Sequence, residues 1–351
     1  MTANDDLLET LLLPFAQGVL AWPAEGGVLF LGARTGVALQ RQPLPGLVCE
    51  QDSRAEVDAL ERAGLPMAEA GDDRRFPLVM LLPPRQREQA RALYASALDR
   101  LAPGGRVLGC VANNEGARSA EDDLRRLAGP VGNLSKNKAR VFWTAPLDGT
   151  GDARVDQELL AQWRGLDAPR PVVDGRFRSR PGVFAWDRID PASALLAAQL
   201  PATLKGRAAD LGAGFGYLSV ELLEHCPGIT AVDLYEADAR ALDLARENLA
   251  ALATRAELGF HWHDVTTGLP ARYDVIISNP PFHGQGRAER PDLGRAFIAA
   301  AAAALVPGGS LWLVANRHLP YEAALGSGFD QVETLVQKQG FKIVHARKGR
   351  R

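Results

Sequence analysis

The amino-acid sequence predicts an α/β fold made of two tandem domains, each built on a doubly wound, mostly parallel sheet. Apolar runs typical of buried strands alternate with helix-like segments along the 351 residues, and this alternation is typical of parallel sheets. Five short motifs also recur in the same order in the two halves, which indicates duplication of one unit. We therefore expect one domain over residues 1–165 and a second over 166–351.

Strand and helix signals alternate in both halves, and Gly or Pro residues punctuate their ends. In the first half, the predicted strands are 27–31, 47–50, 77–82, 106–112 and 139–143, and the predicted helices are 53–63, 85–101 and 121–128. In the second half, the predicted strands are 207–211, two strands ending near 235 and 262, and 273–277, with helices beginning at 217 and covering the alanine tract 299–304. The pattern is that of β-α-β units.

The repeated motifs lie where predicted strands end or begin. The pairs are 31–36 with 211–216, 47–52 with 232–238, 82–84 with 279–281, 103–105 with 307–309, and 111–113 with 314–316. The copies differ in two places: Arg34 replaces Gly214, and Leu82 replaces Asn279. An arginine side chain in a glycine turn obstructs close approach of a ligand, and leucine accepts no hydrogen bond. We therefore expect the first copy to be degenerate and the second to be active.

Composition and charge exclude several classes of protein. Hydrophobic residues make up 46% and charged residues 23% of the chain, as in soluble globular proteins. The net charge of −2 means that any nucleic acid must be bound by local basic patches. The three cysteines form no CxxC pair and there is no signal-peptide pattern or long apolar run, so we expect a cytoplasmic protein without disulfides or membrane spans.

A glycine-rich turn predicts the cofactor. Gly212, Gly214 and Gly216 follow the strand that ends in Asp210-Leu211, and glycines let the backbone approach a ligand closely. A dinucleotide fingerprint requires glycine at position 217, where this chain has Tyr217. The G-x-G-x-G form after an aspartate is typical of S-adenosyl-L-methionine sites, and Asp210 is placed to interact with the ammonium end of that ligand.

Two acidic residues and two histidines lie at or near the ends of the next two strands. Glu236, twenty residues after Gly216, is expected to accept hydrogen bonds from both ribose hydroxyls; the alternative is a surface turn. Asp264 is expected to accept from the adenine amino group. His261 and His263 share a strand face like a metal pair, but no third ligand stands nearby in the sequence, so no metal is expected.

The segment Ser278–His283 predicts the methyl-acceptor site. It follows the apolar strand 273–277, and its two prolines end that strand in a rigid corner, at the edge where open α/β sheets bind ligands. Asn279 Oδ1 and the Pro280 carbonyl can accept from an exocyclic amine, and Phe282 can stack on its base. The alternative is a strand-ending turn with a core phenylalanine.

Such a site performs in-line methyl transfer by positioning. The amine is a poor nucleophile because its lone pair is delocalised into the ring, so two acceptors must aim that lone pair at the methyl group. A base inside a helix cannot reach the pocket and must be unpaired or flipped out. The released proton passes to His283 or to solvent.

Two basic clusters are candidate RNA contacts. Arg176, Arg178 and Arg180 follow a predicted hairpin turn at Asp174-Gly175, and Lys136 and Lys138 form a cluster in the first domain. Such residues contact phosphates without reading sequence. The alternative for the hairpin is a solvated face.

With these motifs together, the chain resembles class I adenosylmethionine-dependent methyltransferases. It is most similar to ribosomal RNA guanine-N2 methyltransferases of the small-subunit methyltransferase C type and their large-subunit relatives. The motifs that carry the resemblance are 180–184, 210–216, 277–284, 313–321 and 341–344. The resemblance covers the whole chain and implies two tandem Rossmann-like methyltransferase domains, of which only the second is active.

The resemblance also implies what the chain acts on. It implies methylation of guanine N2 in ribosomal RNA, with the 16S small-subunit type favoured, and a first domain that aids RNA binding or folding. Free rRNA or a ribosomal subunit is the implied partner, and the oligomeric state is open, with a monomer favoured. The residues that match the family's cofactor and acceptor positions are Asp210, Glu236, Asp264, Asn279 and Phe282.

Other functions remain open at this stage. The acceptor can be a 23S rRNA guanine, adenine N6 or a protein glutamine, although the last two usually have tyrosine after Asn-Pro-Pro. The chain can also be a non-catalytic RNA-binding protein with a methyltransferase fold, against which the intact glycine turn, Glu236 and Asn279 argue. A nicotinamide oxidoreductase is disfavoured by Tyr217.

Overall fold

The computed structural model describes residues 3–41, 43–69, 71–148, 154–281 and 291–350. The chain divides into two compact units, Met1–Ala168 and Pro169–Arg351. This division falls three residues beyond the boundary expected from the sequence. Among the described residues, no helix is both long and apolar enough to cross a membrane.

The first unit contains a six-stranded sheet flanked by helices. Its strands are β1 (Val28–Leu31), β2 (Leu47–Glu50), β3 (Phe76–Leu81), β4 (Leu101–Ala112), β5 (Val131–Lys136) and β6 (Ala139–Thr144). Its helices are α1 (Ala3–Leu11), α2 (Leu13–Ala16), α3 (Val37–Gln40), α4 (Arg54–Arg62), α5 (Arg87–Asp99), α6 (Ala117–Ala128) and α7 (Gln157–Arg164). The strand order is β2-β1-β3-β4-β6-β5. The first four strands pair in parallel, and β6 pairs antiparallel with β4 and β5.

The second unit begins with a hairpin and continues into a seven-stranded sheet. Its strands are β7 (Arg170–Val172), β8 (Phe177–Ser179), β9 (Lys205–Leu211), β10 (Gly228–Glu236), β11 (Glu257–Trp262), β12 (Tyr273–Ser278), β13 (Leu305–Asn316), β14 (Gln331–Lys338) and β15 (Phe341–Arg347). Its helices are α8 (Pro191–Ala197), α9 (Tyr217–His225), α10 (Ala239–Leu249), α11 (Pro291–Ala304) and α12 (Glu322–Gly328). The large sheet has the order β11-β10-β9-β12-β13-β15-β14.

The two large sheets share one topology. Removing the edge strand β11 from the second sheet leaves the strand order of the first. In each unit the last two strands pair antiparallel with each other, and the final strand also pairs antiparallel with the central sheet, β6 with β4 and β15 with β13. The expected tandem α/β fold is therefore confirmed. In the second sheet the strand order reverses between β9 and β12, and a crevice at the carboxyl ends of such strands is where open α/β sheets bind ligands.

The central strands of the second unit are apolar because both of their faces are covered. The last four residues of β9, Ala208–Leu211, and of β12, Val275–Ser278, are all buried. The two strands pair in parallel with Ser278 opposite Leu211. This register places the Asn-Pro-Pro corner directly beside the glycine turn, because each motif begins one residue beyond that pair.

Several element boundaries differ from those expected. Strand β4 begins at Leu101 rather than 106 and includes Pro103–Gly105, with a register irregularity opposite Phe76 and Leu78. Helix α6 begins at Ala117 rather than 121, after Gly116 in the left-handed conformation. The predicted hairpin at Asp174-Gly175 is confirmed by the antiparallel pairing of β7 with β8.

Candidate active site

The glycine turn between β9 and α9 needs residues without side chains. Gly212, Gly214 and Gly216 have φ angles of +74°, +56° and +90°, a region that favours glycine. A Cβ on Gly216 would lie 2.5 Å from Leu249, whereas a Cβ on Gly214 would meet nothing within 4 Å. Open space therefore lies in front of the Gly214 backbone.

The corresponding turn of the first unit has a different conformation. Arg34 is not in the left-handed region, and Gly36 is extended with φ −177°. The helix that follows, α3, has four residues, whereas α9 has nine. Its first free amide, Val37 N, donates to Asp5 Oδ1 from α1 at 2.8 Å. The first copy has thus been remodelled as well as substituted.

Asp210 is fully buried at the end of β9. Ser219 Oγ of α9 donates to Asp210 Oδ2 at 2.7 Å, and Oδ1 has no hydrogen-bond partner within the described part of the chain. Burial raises the pKa of this carboxyl to about 7, and the hydrogen bond from Ser219 opposes that shift. A buried oxygen without a partner is rare in folded proteins, and a ligand ammonium group nearby would favour the ionised form.

Glu236 lies at the end of β10 and connects two turns. Its Oε2 accepts from Gly214 N and its Oε1 from Asp238 N, both at 2.8 Å. Burial raises its pKa, and these backbone donors oppose the shift. Each carboxylate oxygen can accept more than one hydrogen bond, so these two backbone donors do not exhaust the acceptor capacity of Glu236.

Asp264 follows β11 and caps a short 3₁₀ helix, Val265–Thr267. Its Oδ1 accepts from Thr266 N at 2.9 Å and from Thr266 Oγ1 at 2.7 Å. The neighbouring His263 N donates to Glu236 O at 2.9 Å. The main chains that carry Asp264 and Glu236 are therefore tied together, at the carboxyl ends of adjacent strands.

The two histidines of β11 and its end have partners within the protein. His261 Nε2 lies 3.1 Å from Asp233 Oδ1, and its ring stacks on Tyr235 with centroids 4.6 Å apart. His263 Nε2 lies 2.6 Å from Gly268 O. No group of three or more His, Cys, Asp or Glu suited to a metal ion occurs among the residues that the structure describes.

Asn279 lies at the corner after β12, beside the glycine turn. Its Nδ2 donates to Asp190 Oδ2 at 3.0 Å and to Ser193 Oγ at 2.8 Å. Its Oδ1 is buried and has no hydrogen-bond partner in the described ranges. The predicted acceptor oxygen is therefore available, although Phe282 and His283 lie outside the described residues, so the predicted stacking ring is not placed.

A small cavity joins the cofactor and acceptor sides. Its wall includes the glycine turn 212–215, Asn279, Asp190, Ser193 and the ring of Phe184. Phe184 is 65% exposed. The cavity is thus lined by the glycine turn, by Asn279 of the Asn-Pro-Pro corner and by an aromatic residue.

The sequence analysis assigned no site role to Asp190, Ser193 or Phe184, although Phe184 ends the motif 180–184. A helix-start signal was present, because Asp190 is followed by Pro191 and the side chain of Asp190 caps α8. That signal predicts a cap but not a contact with a residue 89 positions away.

The arginines expected to contact RNA already pair with carboxylates of the second unit. Arg176 contacts Glu221 and Glu224, each at 2.7 Å, and Arg178 contacts Glu247 at 2.8 Å. These two arginine side chains remain 43% and 47% exposed. Arg180 lies close enough to Asp238 to help lower the pKa of that carboxyl, which burial raises.

The two lysines lie in the first unit. Lys136 pairs with Glu9 of α1 at 3.1 Å. Lys138 is exposed at the β5–β6 turn, with φ +57°. The two predicted basic clusters therefore belong to different units.

Comparison with known proteins identifies the fold and its relatives. Residues 174–345 match the model of the methyltransferase small domain. A ribosomal RNA small subunit methyltransferase C from Pseudomonas aeruginosa is 33% identical over 271 residues, covering 77% of this chain and 78% of that protein. The protein of the same name from Escherichia coli K12 is 30% identical over 330 residues, covering 86% and 88%.

A solved structure extends the similarity over both units. A T. thermophilus 16S rRNA N2 methyltransferase, in complex with AdoMet and guanosine, superposes with a TM-score of 0.77 at 27% identity. The match covers 99% of this chain and 92% of the other. Together with the glycine turn and the Asn-Pro-Pro corner, these matches show that the chain belongs to the ribosomal RNA small subunit methyltransferase C family.

Proposed function

We propose that the second unit transfers a methyl group from S-adenosyl-L-methionine to the exocyclic N2 of a guanine in small-subunit ribosomal RNA. One observation carries the proposal: Asn279 keeps a buried, unpartnered Oδ1 beside the glycine turn, while its Nδ2 is held by two acceptors. The substrates named for the relatives support the choice of guanine and of 16S rRNA.

The residues at the carboxyl ends of the strands fit the cofactor. Asp210 has an unpartnered buried oxygen for the cationic end, and Gly214 leaves open space. Glu236 at the end of β10 and Asp264 after β11 are assigned to the ribose hydroxyls and the adenine amino group. When bound, the cofactor supplies a methyl group on a positively charged sulfur.

Asn279 Oδ1 and the Pro280 carbonyl then hold the two N–H groups of guanine N2. This contact turns the nitrogen lone pair towards the methyl carbon, and Phe282 stacks on the base. The N–C bond forms as the S–C bond breaks, and the amine loses one proton to solvent. Positioning supplies most of the rate enhancement, because the leaving group is a neutral thioether.

The finer assignments are also part of the proposal. Residues 1–165 act as a degenerate methyltransferase-like domain that aids RNA binding or folding, and 166–351 carry catalysis. Arg176, Arg178 and Arg180, with Lys136 and Lys138, contact RNA phosphates. The protein works as a monomer in the cytoplasm, where it meets ribosomal RNA or a ribosomal subunit.

Mapping N2-methylguanine in rRNA from cells with and without this protein tests the function. We expect one 16S position to lose its methyl group in the deletion strain and to regain it with the wild-type chain but not with Asn279→Ala. Purified protein should label the same position in deletion-strain RNA or subunits. Loss of a mark in 23S rRNA or in protein, or no change anywhere, would contradict the proposal.

A further inference from the structure

Two residues outside the Asn-Pro-Pro motif fix the orientation of the Asn279 amide. Asp190 Oδ2 lies 3.0 Å and Ser193 Oγ 2.8 Å from Asn279 Nδ2. An ionised carboxylate only accepts hydrogen bonds, so the amide nitrogen must face Asp190. A flipped amide would place Asn279 Oδ1 against Asp190 Oδ2. The hydrogen-bond partners therefore decide which end of the amide is nitrogen and which is oxygen.

Helix α8 holds these two acceptors rigidly. Asp190 Oδ2 also accepts from Ser193 N at 2.8 Å as the helix N-cap, and Pro191 occupies the first turn. Ser193 is buried, and the helix packs against α9, β13 and β15. One carboxylate oxygen therefore caps the helix and holds the amide of Asn279.

We propose that Asp190 and Ser193 are positioning residues that present Asn279 Oδ1 to the acceptor and select an amine there. With Nδ2 engaged by two acceptors, Oδ1 is the polar atom of Asn279 that has no partner among the described residues, and an oxygen accepts from NH2 but repels a carbonyl. A carboxylate that accepts from Nδ2 also strengthens Oδ1 as an acceptor, because hydrogen bonds in a chain polarise one another. This inference rests on the proposed methyl transfer.

Ser193→Ala tests the proposal without removing the helix cap, which uses only the backbone N of Ser193. We expect the single-turnover rate of methyl transfer to fall about tenfold, while the Kd of S-adenosyl-L-methionine and the KM for RNA stay within threefold. Ser310→Ala is the matched control, since Ser310 is as buried as Ser193 and accepts one hydrogen bond, from Trp312 Nε1 at 3.2 Å. The control should leave the rate unchanged.

Asp190→Ala should have a larger effect, about a hundredfold on the same rate, because it removes the charged acceptor. Its control is Asp156→Ala, which removes the N-cap of α7, where Asp156 Oδ1 accepts from Leu159 N at 2.9 Å. If Asp190→Ala folds poorly, Asp190→Ser keeps a residue type that caps helices well. Its shorter side chain should still lose the contact with Asn279, so the single-turnover rate of methyl transfer should fall as well.

A double-mutant cycle separates positioning from general damage. In an Asn279→Ala background, Ser193→Ala should cause no further loss in the residual rate, because the group that it positions is absent. A further tenfold loss there, or an unchanged rate for Ser193→Ala in the wild-type background, would overturn the proposal. If the wild-type protein itself methylates no RNA, the proposed function fails instead.

Discussion

Asp210 and Asn279 share one feature: each has one polar side-chain atom held by the protein and one buried oxygen left unpartnered within the described residues. Asp210 lies near the end of β9 and Asn279 follows β12, and the strand order reverses between these two strands. Leaving a buried oxygen unpaired costs free energy. A cofactor that donates to Asp210 and an acceptor amine that donates to Asn279 would each recover part of that free energy on binding.

Asn279→Ala should reduce methyl transfer to a small residual rate and leave cofactor affinity nearly intact. The amide oxygen acts on the acceptor amine, whereas the cofactor is held mainly by the ends of β9 and β10. We expect at least a thousandfold loss in the single-turnover rate, with a change in the Kd of S-adenosyl-L-methionine below tenfold, or about 1.4 kcal/mol. Calorimetry and a methyl-transfer assay check this. Full activity would refute the role of Asn279.

The pKa of Asp210 predicts how the stability of the ligand-free protein varies with pH. Burial raises this pKa from 3.8 to about 7. The folded state therefore binds the proton of Asp210 more tightly than the unfolded state does. This tighter proton binding stabilises the folded state at low pH, and the stabilisation is lost as the pH rises from about 4 through about 7. The unfolding free energy of Asp210→Asn, taken relative to that of the wild type, should therefore increase by roughly 2.5 kcal/mol as the pH rises from 5 to 8.

Urea unfolding of both proteins at several pH values measures that difference. Ser310→Ala gives the background, because its buried hydroxyl does not titrate in this range. A difference between Asp210→Asn and wild type that stays constant with pH would contradict the raised pKa.

The glycine turn is an element in which the two units differ, and we propose that this difference separates an active unit from a degenerate one. Both units have a strand, a turn and a helix here, but Arg34, the four-residue α3 and the side chain of Asp5 change the first copy. In the second copy, the turn is held to the sheet because Gly212 N and Ala213 N both donate to Tyr235 O.

Gly214→Arg should prevent cofactor binding. The new side chain would enter the open space in front of the turn, and its backbone would be strained at φ +56°. Gly64→Arg is the matched control: Gly64 has φ +72° and equally open surroundings, but lies far along the chain in an exposed turn. Calorimetry should detect no binding for the first variant and normal binding for the second.

The β7–β8 hairpin offers a test of the RNA contacts. Arg178→Ala should weaken RNA binding and lower the slope of log affinity against log salt by about one. Arg246→Ala is the control, because Arg246 is also 47% exposed and also pairs with a carboxylate at 2.8 Å, that of Asp243. Equal effects of the two substitutions would show that the hairpin makes no specific contribution to RNA binding.

At the scale of the whole molecule, the chain has two sheets of one topology, and we propose that only the second carries a complete site. Calorimetry of the intact chain should therefore give one S-adenosyl-L-methionine per chain. The first copy has Leu82 in place of Asn279, and the first backbone amide of α3, Val37 N, already donates to the Asp5 side chain. A stoichiometry of two would contradict the degenerate state of that unit.

Local sequence patterns predicted much of the fold and the turns that border the candidate site. Gly, Pro and apolar strands act through neighbouring residues, so the glycine turn, the Asn-Pro-Pro corner and the β7–β8 hairpin could be inferred. Strand β14 is mostly exposed and lacks an alternating pattern, so it was missed. Asp190 and Ser193 were missed because their contact with Asn279 depends on the tertiary packing of α8.

The contact between α8 and the corner after β12 has a consequence for how this family diversifies. The cavity is lined on one side by the turn after β9 and the start of α9, and on another by a segment that precedes β9, including Phe184 and Asp190. We expect changes confined to that preceding segment to alter which amine is methylated and to leave the glycine turn untouched. Relatives that differ in this segment would then methylate different acceptors on the same cofactor-binding scaffold.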